Sequence, residues 1–157
     1  MNPARSLCPH LRANDLAKVS IDPAGVLDWF DGPVTAIARC DRCDGLALLE
    51  MLDWSHSHRV RIFAAAAIEP AVVALFHRNR ERGSCDLARA DREVESFFAS
   101  AGAVERVIAL DVDRNEVLAT KSRPDQLFLP SALWRERLPP ETDTTWFEAL
   151  GLDKSRC

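Results

Sequence analysis

The stretch from residue 34 to residue 67 consists of three apolar segments of strand length separated by short polar turns. The segments span 34–39, 46–52 and 59–67. Each is shorter than a typical buried helix and ends at a cluster of polar or glycine residues, which is typical of strands joined by tight turns. This pattern constrains the fold most strongly, because it predicts consecutive antiparallel strands in the first half of the chain.

Two shorter strand candidates precede this stretch, at 19–21 and 26–30. Pro23-Ala24-Gly25 separates them, and Asp31-Gly32-Pro33 follows the second. Both tripeptides are strong turn signals, because glycine accepts a positive φ and proline fixes its own φ. The five candidates together predict a meander of about five antiparallel strands. The alanine run at 64–67 leaves the end of the last strand ambiguous, since alanine favours helix.

The spacing of apolar residues changes to a helical period in the second half of the chain. Glu69-Pro70 is a good helix start, and the apolar spacing predicts helices at 70–82 and 86–101. A further strand pair is predicted within 104–120. Strands followed by helices, rather than strict alternation, predict an α+β fold in which an antiparallel meander sheet is packed by two central helices.

The chain is expected to form a single domain over residues 1–157, because its length suits one compact unit. Residues 1–15 are predicted to form an irregular arm. The proline-rich tail at 124–157 is predicted to hold short helices, the last of which begins with a capping box at 145–148 and ends at Gly151. Four tail side chains are expected to pack back on the body or on a partner chain: Trp134, Trp146, Phe147 and Leu150.

The charge balance argues against nucleic acid as a partner. The formal net charge is −4, and the seventeen arginines are scattered along the chain, where we expect solvated surface. An excess of arginine over the three lysines is typical of GC-rich bacterial genomes. We therefore expect a protein or small-molecule partner, and a homo-oligomer stays open.

The cysteine count and the apolar runs bear on the compartment. No run reaches the roughly 18–20 apolar residues that a membrane span needs, and the N-terminus lacks the apolar core of a signal peptide. Five cysteines would leave one unpaired in an exported chain. The sequence therefore predicts reduced thiols in the cytoplasm and no membrane association.

The strongest candidate site is the pair Cys40 and Cys43, joined by Cys8 and His10. Two thiolates three residues apart on a tight turn can bind one metal ion, and this spacing is the usual half-site of structural zinc domains. Such turns more often carry glycine directly after the second cysteine, where this chain has Asp44. The sequence predicts a structural Zn²⁺ bound by these three cysteines and one histidine.

Two other groups of residues point to catalysis. His56 and His58 lie two residues apart, so on an extended chain both imidazoles could share a metal ion with Asp53. Cys85 is placed at the start of the second predicted helix, where a thiolate is stabilised, and His77 precedes it. Both groups also have a non-catalytic explanation: His56 and His58 could belong to an exposed polar turn, and Cys85 could be a half-buried cysteine between two helices. If 34–40 and 46–52 form a hairpin, the two histidines lie at the end opposite Cys40 and Cys43.

Several common catalytic motifs are absent from the sequence, including the Walker A loop, the dinucleotide-binding glycine motif, the nucleophile elbow and His-Glu-x-x-His. We therefore expect a non-catalytic binding or regulatory domain stabilised by structural zinc. The alternative is a small metal- or thiol-dependent enzyme of hydrolase type. The number of protein ligands separates the two, because four indicate a structural metal and three with a water indicate a catalytic one.

Overall fold

The computed structural model describes six antiparallel strands that follow one another along the chain, with one short helix before the first strand and one after the last. The described residues are 8–12, 19–29, 31–71, 73–74, 106–122 and 145–154. In chain order the elements are α1 (Pro9–Arg12), β1 (Val19–Trp29), β2 (Pro33–Cys40), β3 (Leu46–Trp54), β4 (Val60–Ala67), β5 (Arg106–Asp111), β6 (Glu116–Ser122) and α2 (Thr145–Ala149).

The six strands form one sheet in the order β1-β2-β3-β4-β5-β6, and each strand pairs antiparallel with the next. The sheet curls into a half-barrel, so that the first and last strands approach each other. Asn115, in the turn between β5 and β6, bridges this seam. Its Nδ2 donates to the carbonyl oxygen of Ile21 at 2.8 Å, and its Oδ1 accepts from the Ile21 amide at 2.7 Å. The curl therefore rests on specific hydrogen bonds as well as on packing.

Both faces of the sheet are buried, which explains the nearly continuous apolar runs in the sequence. One face, the Phe63 face, carries alternate residues of the strands together with Cys8. The opposite face, the Phe147 face, carries the residues in between and packs against Phe147 of α2. All eight residues of β4 are buried. The alanines at 64–67 thus belong to a strand, and their small side chains fit between neighbours on both faces.

The predicted α+β fold is wrong for the part of the chain that the structure describes. That part is mostly antiparallel sheet, with 57% strand and 13% helix. The curl brings the strands against one another, so that every buried side chain of the Phe63 face except Cys8 comes from a strand. Of the predicted helix at 70–82, only residues 70, 71, 73 and 74 are described, and these are helical. The helix predicted at 86–101 lies outside the described residues.

The predicted strands agree with the structure at β2 to β6, and differ at β1. The two candidates at 19–21 and 26–30 form a single strand, whose pairing with β2 shifts register after Ile21. The tripeptide from Pro23 to Gly25 is therefore an irregularity within an edge strand, where a proline removes no hydrogen bond from a central ladder. The described first half consequently has four strands instead of five.

The end of the chain follows the sequence prediction more closely. The capping-box residues open α2, and the chain leaves the helix at Gly151, whose φ is +73°. The Leu152 amide donates to the carbonyl of Phe147 at 2.8 Å and closes the helix. Trp146, Phe147 and Leu150 pack on the sheet, as predicted. Trp134 lies outside the described residues.

The prediction of an irregular arm is wrong at 9–12, which are helical, and the other arm residues except Cys8 are not described. The single-domain assignment to 1–157 stays a prediction. Among the described residues, no helix has the length and apolar character needed to cross a lipid bilayer.

Asp111 makes the stability of the fold depend on pH, because its carboxylate accepts hydrogen bonds from Arg59, before β4, and from the turn between β5 and β6. Burial alone would raise the pKa of its carboxyl, but hydrogen bonds from the Arg114 amide, the Arg59 side chain and the Asp113 amide lower the pKa below its ordinary value. The pair with Arg59 measures 2.9 Å. A lowered pKa means that the ionised form favours the folded state. The resulting stability is present above the unfolded pKa of about 3.9 and is lost as the pH falls through the folded value.

We expect Asp111→Asn, which keeps one amide-accepting oxygen and loses the charge, to flatten this acid dependence. The variant should be less stable than the native protein at pH 7, and the difference should shrink as the pH falls below the unfolded pKa of about 3.9. Urea midpoints measured at pH 7 and at a series of lower pH values test this. A constant difference between the two proteins would contradict the expectation.

Candidate metal centre

Four side chains converge at the tip of the β2–β3 hairpin: Cys8, His10, Cys40 and Cys43. Their ligand atoms all lie within 4.8 Å of one another, and the four residues could hold a metal ion. The Cys8 and Cys43 sulfurs are 3.2 Å apart, and His10 Nδ1 lies 3.2 Å from Cys40 Sγ and 3.5 Å from Cys8 Sγ. Ligand atoms around a tetrahedral zinc, with Zn–S of about 2.3 Å, are separated by roughly 3.5–3.8 Å. Small adjustments of these side chains would therefore suffice to admit the ion.

The hairpin turn sets the positions of Cys40 and Cys43. The Cys40 amide donates to the Gly45 carbonyl at 2.9 Å, and the Asp44 amide donates to the Cys40 carbonyl at 3.0 Å. Asp44 has a φ of +56°, so it adopts the left-handed conformation that glycine supplies in most turns of this kind. The departure from the usual glycine therefore leaves the turn geometry intact.

Gly45 is needed for a different reason, which is close packing against the N-terminal segment. A Cβ atom at this position would lie 3.1 Å from the Cβ of Cys8 and 3.2 Å from the Sγ of Cys43. Glycine at this residue lets Cys8 approach the hairpin. Pro9 follows Cys8 in the sequence and begins α1, because proline suits the first position of a helix. The start of this helix brings Cys8 and His10 to the same side.

The four side chains differ in their exposure and in their acidity. Cys40 is 1% exposed and Cys8 is 8% exposed, whereas Cys43 is open to solvent. Burial opposes ionisation of Cys40. Hydrogen bonds from the amides of Arg42 and Cys43, and from the thiols of Cys8 and Cys43, outweigh it and lower the pKa of Cys40 to about 7. The thiolate is the form that binds metal ions, so the surroundings of Cys40 favour the ligand state.

A groove of about 310 Å³ lies beside the cluster. Cys8 and Cys43 line it together with the apolar residues Leu46, Ile68 and Pro70 and the acidic residues Asp44 and Glu69. The exposed thiol of Cys43 is therefore accessible from the groove. The buried thiol of Cys40 is not part of the lining.

The alternative metal group of Asp53, His56 and His58 is not brought together. A register shift between Met51 and Asp53 turns the Asp53 side chain to the Phe147 face, where its Oδ1 accepts from Lys154 Nζ at 3.0 Å. His58 stacks on Trp54, whose side chain packs on the Phe63 face. His56 is exposed. Among the described residues, the Cys8 cluster is the one group of three or more metal-ligating side chains found.

The hairpin also separates the two candidate metal groups as expected. Cys40 ends β2 and Cys43 lies in the turn after it, whereas the two histidines lie in the turn after β3, at the opposite end of the strands. Cys85 and His77, the candidates for a thiol enzyme, lie outside the described residues.

Arg61 was missed by the expectation that arginines lie on the surface. Its side chain is completely buried, and its Nη1 donates to the Pro33 carbonyl at 3.0 Å. Burial lowers the pKa of Arg61 to about 10, although nearby Asp31 opposes the change. A signal is present in the sequence, since Arg61 alternates with Val60 and Ile62 inside an apolar strand. Alternation places Arg61 on the same face as Phe63.

The Cys8 cluster is supported by ligand spacing in the sequence and by the distances among its atoms in the structure. These two observations are independent, because the spacing relates only Cys40 to Cys43 and Cys8 to His10. The fold joins the two pairs across 30 residues. No family model matches this chain, and neither a curated protein nor a solved structure shows significant similarity to it.

Proposed function

We propose that this protein is a non-catalytic binding or regulatory domain whose half-barrel is stabilised by one structural Zn²⁺. The ligands are Cys8, His10, Cys40 and Cys43. The observation that carries the proposal is the convergence of their four ligand atoms to within 4.8 Å. Neither half of the cluster contains enough ligands for a stable site, so the metal would join the N-terminal segment to the hairpin.

The donor set favours zinc over the other common metal ions. Three sulfurs and one imidazole are soft or borderline ligands, which suit Zn²⁺ and are poor ligands for Mg²⁺ or Ca²⁺. Combinations of three cysteines and one histidine are typical of closed tetrahedral zinc sites. A site with four protein ligands also leaves no position for a water molecule to be activated, which supports a structural role.

The position of the cluster supports the same role. Helix α1 has only four residues, and a helix this short does not hold its conformation without outside contacts. Cys8 is buried against the Phe63 face, and Cys40 belongs to the same buried cluster. A metal ion at this point would fix the N-terminal segment across the end of the core.

The remaining parts of the proposal concern the partner and the compartment. The net charge of −4 supports a protein or small molecule as partner over a nucleic acid. Three cysteine ligands must stay reduced to bind zinc, which supports the cytoplasm as the location. A homo-oligomer is compatible with both points.

Metal analysis of protein purified without a histidine tag tests the proposal. We expect about one zinc ion per chain, because structural sites of this type bind tightly. Cys40→Ser and Cys43→Ser should each lose the metal, since each removes one ligand. Elemental mass spectrometry gives the stoichiometry directly.

His56→Ala is the matched control, because it removes an exposed histidine at the opposite end of the hairpin. This variant should retain its zinc. A native protein with less than about 0.1 zinc per chain would overturn the proposal, given the affinity expected of such a site. Loss of zinc in His56→Ala with retention in both cysteine variants would also overturn it.

A further inference from the structure

The metal centre contains one pair of sulfur atoms that is placed for oxidation. Cys8 Sγ and Cys43 Sγ are 3.2 Å apart, although the residues are separated by 35 positions in the sequence. Cys43 is exposed, and both residues line the groove beside the centre. A small oxidant can therefore reach one sulfur of a pair that is already in contact.

We infer that Cys43 is an oxidative modification site, at which a hydroperoxide forms a Cys8–Cys43 disulfide and thereby releases the zinc ion. The inference rests on the proposed function, because it adds a redox chemistry to the same four ligands. It assigns the two cysteines different roles. Cys43 reacts with the oxidant, and Cys8 resolves the product.

The reaction balances with one hydroperoxide per disulfide. The Cys43 thiolate attacks one oxygen of the peroxide, the O–O bond breaks, and Cys43 becomes a sulfenic acid while the leaving oxygen takes a proton. The Cys8 thiolate then attacks the Cys43 sulfur, so that the S–S bond forms and the S–O bond breaks, and the departing hydroxide takes a proton from solvent to become water. The two sulfurs lose two electrons in total, and the peroxide gains them. Zinc loses two of its four ligands.

Cys40 is the competing partner, and its surroundings disfavour it. It is 1% exposed, and the amides of Arg42 and Cys43 donate hydrogen bonds to its sulfur. Its sulfur also lies 3.2 Å from His10 Nδ1. The Cys43 thiol also hydrogen-bonds Cys40. Cys8 and Cys43, however, have their sulfurs 3.2 Å apart and both line the groove, whereas Cys40 does not. Access from the groove therefore favours the pair from two segments over the pair within the hairpin.

Oxidation would replace a metal cross-link by a covalent one between the same two segments. The N-terminal segment would stay attached to the hairpin through Cys8, whereas His10 and Cys40 would lose their common ligand. The oxidised domain would thus keep its fold and present a changed surface at the groove.

Peptide mapping of the full chain identifies the disulfide, because trypsin separates every cysteine. Cleavage after Arg39 and Arg42 places Cys40 in peptide 40–42 and Cys43 in peptide 43–59, while Cys8 lies in 6–12. The zinc-loaded protein is treated with one equivalent of hydrogen peroxide, and free thiols are blocked before digestion. We expect a linked 6–12/43–59 pair and release of about one zinc ion per disulfide, measured with a chromogenic chelator.

The variant Cys8→Ser tests the role of the resolving thiol by peptide mass, which does not depend on zinc binding. In this variant one equivalent of hydrogen peroxide should take Cys43 to the sulfenic acid and a second equivalent to the sulfinic acid. Fragmentation spectra separate this oxygen gain from oxidation of Met51. A background with Cys85→Ser and Cys157→Ser removes the thiols outside the centre and should behave like the native chain. Rapid formation of a Cys40–Cys43 disulfide in either protein would overturn the inference.

The zinc content before oxidation separates the two proposals. A native chain without zinc overturns both. A chain that contains zinc, and that keeps it after treatment with peroxide or oxidises first at Cys85 or Cys157, overturns only the redox inference.

Discussion

Removal of the metal is expected to lower the melting temperature of the zinc-loaded protein by about 10 °C or more. A ligand present at a thousand times its dissociation constant stabilises the folded state by about 4 kcal/mol. A chain of this length changes its melting temperature by roughly 2–4 °C for each kcal/mol. Structural zinc sites bind more tightly than this arithmetic requires, so the estimate is a lower bound.

The structure lost on removal of the metal is expected to be local at first. Without the ion, the N-terminal segment is held by contacts between Cys8, His10 and the two hairpin cysteines, and α1 is too short to persist alone. Residues 8–12 should then detach, and the hairpin turn at 41–45 should lose protection against hydrogen exchange. The centre of β4, which is completely buried between its neighbours, should keep its protection until global unfolding.

Thermal denaturation and hydrogen exchange, each measured with and without a strong zinc chelator, test this expectation. Added Zn²⁺ should restore the melting temperature, and added Mg²⁺ should not, because the site offers sulfur and imidazole ligands. The His56→Ala variant should show the same chelator effect as the native protein. A chelated protein that is shown to be free of zinc but melts within about 2 °C of the loaded protein would contradict a structural role, since that shift is less than 1 kcal/mol.

The strands and the hairpin were predictable because local signals and the fold agree. The apolar segments at 34–39, 46–52 and 59–67 match β2, β3 and β4 closely, since turn residues bound each of them. The alternation of Ile62 and Phe63 also predicts which side each residue occupies. Alternating residues fall on opposite faces of the sheet, and the two clusters divide in that way.

The fold class was not predictable from the same signals, because sheet curvature depends on contacts between distant residues. Asn115 hydrogen-bonds the backbone of Ile21 across 94 positions of the sequence, and no local sequence pattern around either residue predicts this contact. A curled sheet buries an apolar face within itself, whereas a flat one needs a separate layer. The α+β prediction came from the helical apolar spacing after residue 69, which led us to expect two helices packed on the sheet.

The metal cluster was predictable because its residue types are rare in combination. Cys40 and Cys43 have the spacing of a zinc half-site, and Cys8 with His10 supplies one more cysteine and one histidine to complete it. The approach of Cys8 to the hairpin could not be predicted, because it depends on the space left by Gly45. Asp44 counted against the site in the sequence, but its left-handed backbone conformation removes that objection.

Buried charges were the least predictable part of the structure. Lys154 lies in the tail, next to polar residues that indicate exposed surface, yet its side chain is 11% exposed. Its partner Asp53 is 101 positions away, and the fold brings the two together only when α2 packs on the Phe147 face. The ammonium group also lies 5.5 Å from the centre of the Phe147 ring, within the range of a cation–π contact.

Replacement of Lys154 by methionine is expected to destabilise the protein by about 3–5 kcal/mol, because it leaves the buried carboxylate of Asp53 without its cation. The side chain of Asp53 is 4% exposed. Its Oδ1 accepts from Lys154 and from the Trp54 amide, while its Oδ2 has no hydrogen-bond partner within the described part of the chain. One carboxylate oxygen is therefore already poorly solvated, and the loss of the ammonium group removes the main compensation.

A double variant separates the cost of an unpaired charge from the loss of packing. Asp53→Leu combined with Lys154→Met removes both charges and keeps apolar bulk, so it should recover most of the stability lost in the single variant, since well-packed apolar replacements of buried pairs are often neutral. Lys121→Met is the matched control, because Lys121 is exposed, and it should change the stability by no more than about 0.5 kcal/mol. Urea unfolding at pH 7 measures all four proteins. If Lys154→Met were as stable as Lys121→Met, the ion pair would contribute nothing to holding the tail, and apolar packing of Phe147 alone would have to account for its position.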